Sequence, residues 1–159
     1  MKVWRLTSRR HASFDGEGSR RVGGRWNLRG TPLVYTSESL ALAALEYLVN
    51  VDPETAPGDL VALSAALPDE VSVKIVPAED LPRNWRSYPA PPELAILGTT
   101  WAESLETAAL RVPSVVVPQE SNLILNPSHP EFAKIVVQAP IPFTFDARVW
   151  KKPTKGHLK

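Results

Sequence analysis

The sequence has no cysteine, and its three histidines stand far apart at positions 11, 129 and 157. A disulfide framework and a thiolate metal site are therefore excluded, and the histidines lack the spacing of metal ligands. No metal site is expected. Long apolar runs are missing as well: no window reaches the ~20 apolar residues of a membrane span. The opening MKVWRLTSRR lacks the apolar stretch of a secretion signal. No membrane association and a cytoplasmic address are the resulting expectations. Nor is there an excess of either charge, because 18 Lys and Arg face 17 Asp and Glu for a net +1. A dedicated nucleic-acid binder gathers basic residues until its domain pI exceeds about 9, so direct nucleic-acid binding is not expected. The common phosphate loops GxxxxGK[ST] and GxGxxG are absent, as is the GxSxG elbow of serine hydrolases.

What is present suffices for one domain with a real core. A chain of 159 residues buries roughly 70 % of the surface it exposes when unfolded, and 43 % apolar against 22 % charged residues is an ordinary globular balance. Sixteen prolines fall between apolar runs and punctuate short strands. KVWRLT (2–7) alternates as a strand, with Val3 and Arg5 on one face and Trp4 and Leu6 on the other. Residues 8–32, rich in glycine, read as a long loop of the kind that is often functional. PLVYT (32–36) is a short strand, and SESLALAALEYLVN (37–50) is the clearest helix, capped by Thr36 or Ser37. DLVALSAAL (59–67) and VSVKIV (71–76), joined by PDE, read as a hairpin. A Pro-rich connector (80–93) leads to a second helix over 93–111. Strands over 114–118 and 122–126, a helical turn over 130–135 and a strand over 135–146 follow. KKPTKGHLK (151–159) reads as a solvated basic tail behind a domain of residues 1–150. The sum is a single α+β domain with a mixed or antiparallel sheet and flanking helices.

Several residues invite chemistry. Glu46 is the one charge in LALAALEYLV, so it either snorkels to the helix edge or lies in a partly dry cleft. Arg25 follows paired glycines, which allow close approach to a ligand, and its guanidinium could grip a phosphate bidentately. Arg5, mid-strand, is a second such donor or a solvated charge. Tyr35, just before the helix, is a core aromatic or part of the same site. Gln119, Glu120, Ser121, Asn122, Asn126, Ser128 and His129 form a second polar cluster, denser than a turn requires.

Taken together, the stretch VWRLTSRRHASFDGEGSRRVGGRWNLRGTPLVYTSESLALAALEYL and the later PSVVVPQESNLILNPSHPEF resemble the RES-domain toxin family, named for its Arg, Glu and Ser. The resemblance spans roughly residues 2–150 and implies a fold like that of the ADP-ribosyltransferases. It also implies the active half of a bacterial toxin–antitoxin pair. The implied activity is depletion of NAD at the nicotinamide–ribose bond by hydrolysis or phosphorolysis, with NAD as substrate and no further cofactor. Transfer of ADP-ribose to a macromolecule is the alternative. By motif, the resemblance assigns Arg25, Tyr35 and Glu46 to catalysis, and Arg5, Trp26, Ser121 and Asn122 to substrate binding, Ser121 standing for the family's Ser. The implied partner is an antitoxin with a helix-turn-helix DNA-binding domain.

Overall fold

Eight strands and three α-helices make one α+β domain in the computed structural model, which describes residues 1–150. The expected basic tail lies outside the described residues. The elements run β1 (Lys2–Ser8), α1 (Glu17–Val22), β2 (Val34–Ser37), α2 (Leu40–Asn50), β3 (Leu60–Ala66), β4 (Val73–Ile75), α3 (Pro92–Ser104), β5 (Ala109–Pro113), β6 (Ser121–Leu125), β7 (Val136–Val137) and β8 (Ile141–Pro142). The sheet order is β4-β5-β6-β2-β1-β3-β7, with β8 also on β3. Among the described residues β4 and β5 form the parallel pair and the other pairs are antiparallel.

The expected hairpin of residues 59–76 does not form. Every residue of β3 from Leu60 to Ala65 is buried, so the strand needs partners on both edges and finds them in β1 and in β7 with β8. β4 instead pairs with β5 and lies five positions from β3 in the sheet order. At ~4.8 Å per strand this separation is about 24 Å if the sheet is flat. The six residues between Ala66 and Val73 could reach that far only when fully extended, yet they contain a turn from Val71 N–H to the Pro68 carbonyl. The sheet must therefore curl into a half-barrel.

Other boundaries differ from expectation as well. The long loop contains α1, a short helix in which Glu17 pairs with Arg20 and Arg21. The cap of α2 is Ser39, whose side chain accepts the Leu42 N–H, because Thr36 and Ser37 remain in β2 opposite Leu123 and Asn122. The second helix ends at Ser104, where Leu105 turns into the left-handed region at φ 52°. Residues 109–113 are then drawn between β4 and β6 as β5. Residues 114–118 are not a strand but the turn that joins β5 to β6.

Side-chain alternation divides the core. Leu110, Val112 and Ile124 face α3 with Trp26, Trp85, Leu94 and Trp101, while Ala109, Leu123 and Leu125 face Val3 and Val34 on the other side. Residues 26–28 are clamped on α3: Thr99 Oγ1 accepts the Leu28 N–H at 2.8 Å, and a Cβ on Gly98 would lie 1.9 Å from the Trp26 carbonyl oxygen. Gly98→Ala would ordinarily gain about 1 kcal/mol in a helix. Here the contact is with backbone, which cannot swing aside, so the clash wins. We expect a net loss of about 1–3 kcal/mol, read as a lower Tm; a Tm at or above that of the wild type would show that α3 does not fix this segment.

Candidate functional site

Glu46 lies three residues after Ala43 and four after Leu42, the two buried residues of α2, and therefore shares their inward face. Its Oε1 accepts hydrogen bonds from Ser114 Oγ at 2.7 Å and from Asn122 Nδ2 at 2.6 Å. Among the described residues Oε2 makes no hydrogen bond. Asn122 is itself held, since its Oδ1 accepts from Ser37 Oγ at 2.7 Å. Ser114 is fully buried and fully bonded: it donates to Glu46 and accepts the N–H groups of Val116 and Val117.

Glu46 and Asn122 line a cleft of about 740 Å³ together with Arg5, Arg25, Tyr35 and Tyr88, a size suited to a small-molecule ligand. The cleft enters where the sheet parts: β1 meets β2 at one pair, Trp4 with Ser37, but runs beside β3 over seven. Arg5 comes from one lip and Tyr35 from the other.

The opposite wall is the segment after α1. The Tyr35 hydroxyl donates to Asn27 Oδ1 at 2.6 Å and accepts the Trp26 N–H at 3.0 Å, and the Asn27 amide donates to the carbonyls of Ser19 and Thr31. The paired glycines are explained here. Gly23 sits at φ +76°, and a Cβ on Gly24 would fall 2.7 Å from the Tyr35 hydroxyl. Burial pushes the Tyr35 phenol well above its ordinary pKa, against the opposing pull of the Trp26 N–H and Arg25. Tyr35 is thus a neutral donor that supports the loop, with its ring facing the cleft.

Arg25 points along this wall. Its Nη1 donates to the Trp85 carbonyl at 2.8 Å and its Nη2 to that of Ser87 at 3.1 Å, so part of the fork expected to grip phosphate is already engaged by protein. Arg5 Nη1 donates to the Ser13 carbonyl at 2.9 Å. Burial lowers the pKa of both guanidiniums, opposed by Asp15 at Arg5 and by Glu46 and Tyr35 at Arg25. Both remain charged, and cations with incomplete hydration favour an anionic ligand. Other arginines nearby are paired elsewhere: Arg20 and Arg21 with Glu17, and Arg111 with Glu38.

Two expected contacts are placed otherwise. Trp26 forms part of the cleft wall, but its side chain is 3 % exposed and packs in the core with Leu33 and Leu94. Ser121 is outside the cleft. It precedes Asn122 on β6 and so faces the other side, lining a separate hollow with Arg111 while its N–H donates to Glu38. The serine beside Glu46 is Ser114. The sequence signal for it was a lone hydroxyl between Pro113 and three valines, which a strand reading of 114–118 conceals. Among the described residues no group of three or more His, Cys, Asp or Glu could hold a metal ion, and no helix is long and apolar enough to cross a membrane.

The RES domain model matches residues 2–146. Toxin Res of Yersinia enterocolitica is 36 % identical, with 94 % of this chain and 99 % of that protein covered. Toxin Res of Pseudomonas putida is 38 % identical over 94 % of this chain and its own whole length. The Prs ADP-ribosylating toxin of a Sphingobium species is 36 % identical, covering 94 % and 96 %. In fold, the chain resembles a chain of the crystal structure of the M. tuberculosis MbcT–MbcA toxin–antitoxin complex, with a TM-score of 0.72, 16 % identity and coverage of 90 % and 84 %. The chain belongs to the RES domain family of toxins.

Ser114→Ala removes a donor from Glu46 and strands the Val116 and Val117 N–H groups, a cost of about 1–3 kcal/mol in stability. We expect it to lower Tm and, below Tm, to reduce activity on the order of tenfold or more through a loosened carboxylate. Ser121→Ala should leave activity unchanged. Parallel melts and activity assays of the two variants check this, and the reverse ranking would return Ser121 to the site.

Proposed function

We propose that this toxin consumes NAD by breaking the nicotinamide–ribose bond, with water or phosphate as acceptor of the ADP-ribose. The observation that carries the reading is Glu46: one carboxylate oxygen is fixed by Ser114 and Asn122 while the other is unengaged among the described residues, in a cleft that also holds two partly dehydrated guanidiniums.

Heterolysis of the N-glycosidic bond sends the bonding pair to the pyridine nitrogen, so a cationic nicotinamide leaves as a neutral molecule and positive charge grows on the ribose carbon, as in glycoside hydrolysis. A strong general acid is unnecessary. What helps is a fixed negative charge beside the developing cation, and Glu46 supplies it without reorganisation because its Oε1 is already bonded. Arg5 and the donors of Arg25 that face the cleft oppose the pyrophosphate, and the Tyr35 ring flanks the nicotinamide. Water attacking the cationic carbon gives ADP-ribose and a released proton; phosphate gives the corresponding ADP-ribose phosphate. Transfer of the same group to a protein is a second reading, favoured by the relative named as an ADP-ribosylating toxin, and it uses the same carboxylate.

Glu46→Gln preserves both hydrogen bonds to Oε1 and removes the charge. We expect a folded protein that no longer arrests growth, with NAD turnover lower on the order of a hundredfold or more. Product analysis after incubation with NAD, with and without phosphate, checks the reading, and full turnover by Glu46→Gln would remove the carboxylate from the mechanism.

Under this proposal the partner is an antitoxin, a reading supported by the toxin–antitoxin complex among the structural neighbours, and we expect that antitoxin to carry a helix-turn-helix domain. A cleft with two guanidiniums would accept a chain end bearing a carboxylate in place of pyrophosphate. Inhibition should then be competitive with NAD and disappear when the antitoxin's terminal residues are deleted; a truncated antitoxin that still inhibits fully would point to remote control.

A further inference from the structure

Tyr88 is the most exposed large hydrophobic residue among the described residues, at 89 %, and it lines the cleft. It belongs to the connector between β4 and α3, which is firmly held on the near side of the tyrosine. Trp85 is buried with Trp26, Leu94 and Trp101. The carbonyls of Trp85 and Ser87 take the two Arg25 hydrogen bonds. Arg86 Nη2 donates to the Val115 carbonyl at 3.2 Å, next to the Ser114 that holds Glu46. Backbone bonds from Trp85 N–H to Pro82 and from Ser87 N–H to Asn84 close the turns before it, and Pro89, Pro91 and Pro92 stiffen the chain behind it. On this anchored segment the phenol makes no hydrogen bond among the described residues.

An aromatic ring carried into water on an anchored backbone at the mouth of a cleft gains nothing from the fold, but it offers a flat apolar face to a ligand at low cost in conformational entropy. We infer that Tyr88 is a substrate-contacting residue whose ring stacks on a flat heterocycle of the bound dinucleotide, and that Arg25 fixes it there. The inference rests on the NAD reading above and adds to it: Arg25 becomes a positioning residue for the stack as well as a neighbour of the pyrophosphate. Both ends of NAD present such a heterocycle, adenine and nicotinamide, and the same chemistry recognises either.

The test compares the full-length protein with Tyr88→Ala and Tyr88→Phe, in steady-state NAD turnover and in calorimetric binding of ADP-ribose and of nicotinamide. Tyr88→Ala should raise KM on the order of tenfold, the scale of one base–aromatic stack, with kcat within about threefold of wild type and Tm unchanged. Tyr88→Phe should behave as wild type, since the ring rather than the hydroxyl makes the contact. Weakened ADP-ribose binding by Tyr88→Ala assigns the stack to adenine, and weakened nicotinamide binding assigns it to the other end. A wild-type KM and unchanged binding of both ligands in Tyr88→Ala would overturn the inference while leaving NAD consumption intact, as would equal damage from Tyr88→Phe. Conversely, a wild-type protein that binds ADP-ribose in a Tyr88-dependent way but turns over no NAD would reject the proposed reaction and keep the stack. A wild-type protein that neither turns over NAD nor binds either ligand would reject both.

Discussion

The pair of hydrogen bonds on Glu46 Oε1 ties three separate parts of the chain to one atom. Glu46 comes from α2, Asn122 from β6 and Ser114 from the turn after β5. Each donor is locked from behind, Asn122 by Ser37 of β2 and Ser114 by the Val116 and Val117 N–H groups it accepts. Hydrogen bonds to a carboxylate are roughly twice as strong as neutral ones, so this node couples the helix to the sheet at the point where β1 and β2 part. Without it, α2 would still bury Leu42 and Ala43, but nothing else among the described residues would orient the carboxylate.

The facing wall obeys a different constraint. Residues 23–33 have almost no regular structure, so their backbone polar groups must be satisfied one by one. Tyr35, Asn27, Ser19 and Thr99 do this, with Ser19 Oγ donating to the carbonyl of Leu33 and Asn27 1 % exposed. No buried side-chain nitrogen or oxygen is left without a partner among the described residues. The glycines are needed where this loop comes closest to its supports, and Gly98 on α3 provides the last clearance. Arg25 is placed by a loop that is irregular in shape but fully determined in its bonding.

How much of this was legible in the sequence depended on whether the signal was local. Glu46 stood out as the one charge in an apolar helical run, and Arg25 because the paired glycines before it allow close approach to a ligand. β1, α2 and most of β6 followed from periodicity. The failures were questions of pairing and of face. LVALSAA reads equally well as half of a hairpin and as a central strand, and only the presence of β1 and β7 decides between them. The run after Ser104 is apolar enough for helix or strand, and its capture by β4 and β6 is a tertiary event. Ser121, expected at the site, is parted from it by one face: in a strand adjacent residues point apart, so Asn122 reaches Glu46 while Ser121 lines a separate hollow. Tyr35 lines the cleft, but its hydroxyl bonds were not legible in the sequence, because they join residues on a loop whose path the sequence does not specify.

These observations explain why the cleft departs from the economy of the rest of the molecule. Outside the cleft several charges are paired at the surface, as Glu17, Glu38 and Asp146 show. In the cleft two guanidiniums are partly stripped of water, a carboxylate oxygen has no partner among the described residues, and a tyrosine ring is left in solvent. Each arrangement costs stability in the free protein, and a sequence selected for folding alone would remove it. Under the proposed function they would persist together because they complement one molecule: an anionic bridge would answer the arginines, a ribose that becomes cationic would answer Glu46, and a flat heterocycle would answer Tyr88. A dinucleotide bound in that proposed order would need the two lips of the parted sheet and the anchored connector to keep fixed distances, and the bonds from Arg25 to the carbonyls of Trp85 and Ser87, which join the loop wall to the connector, supply such a tie.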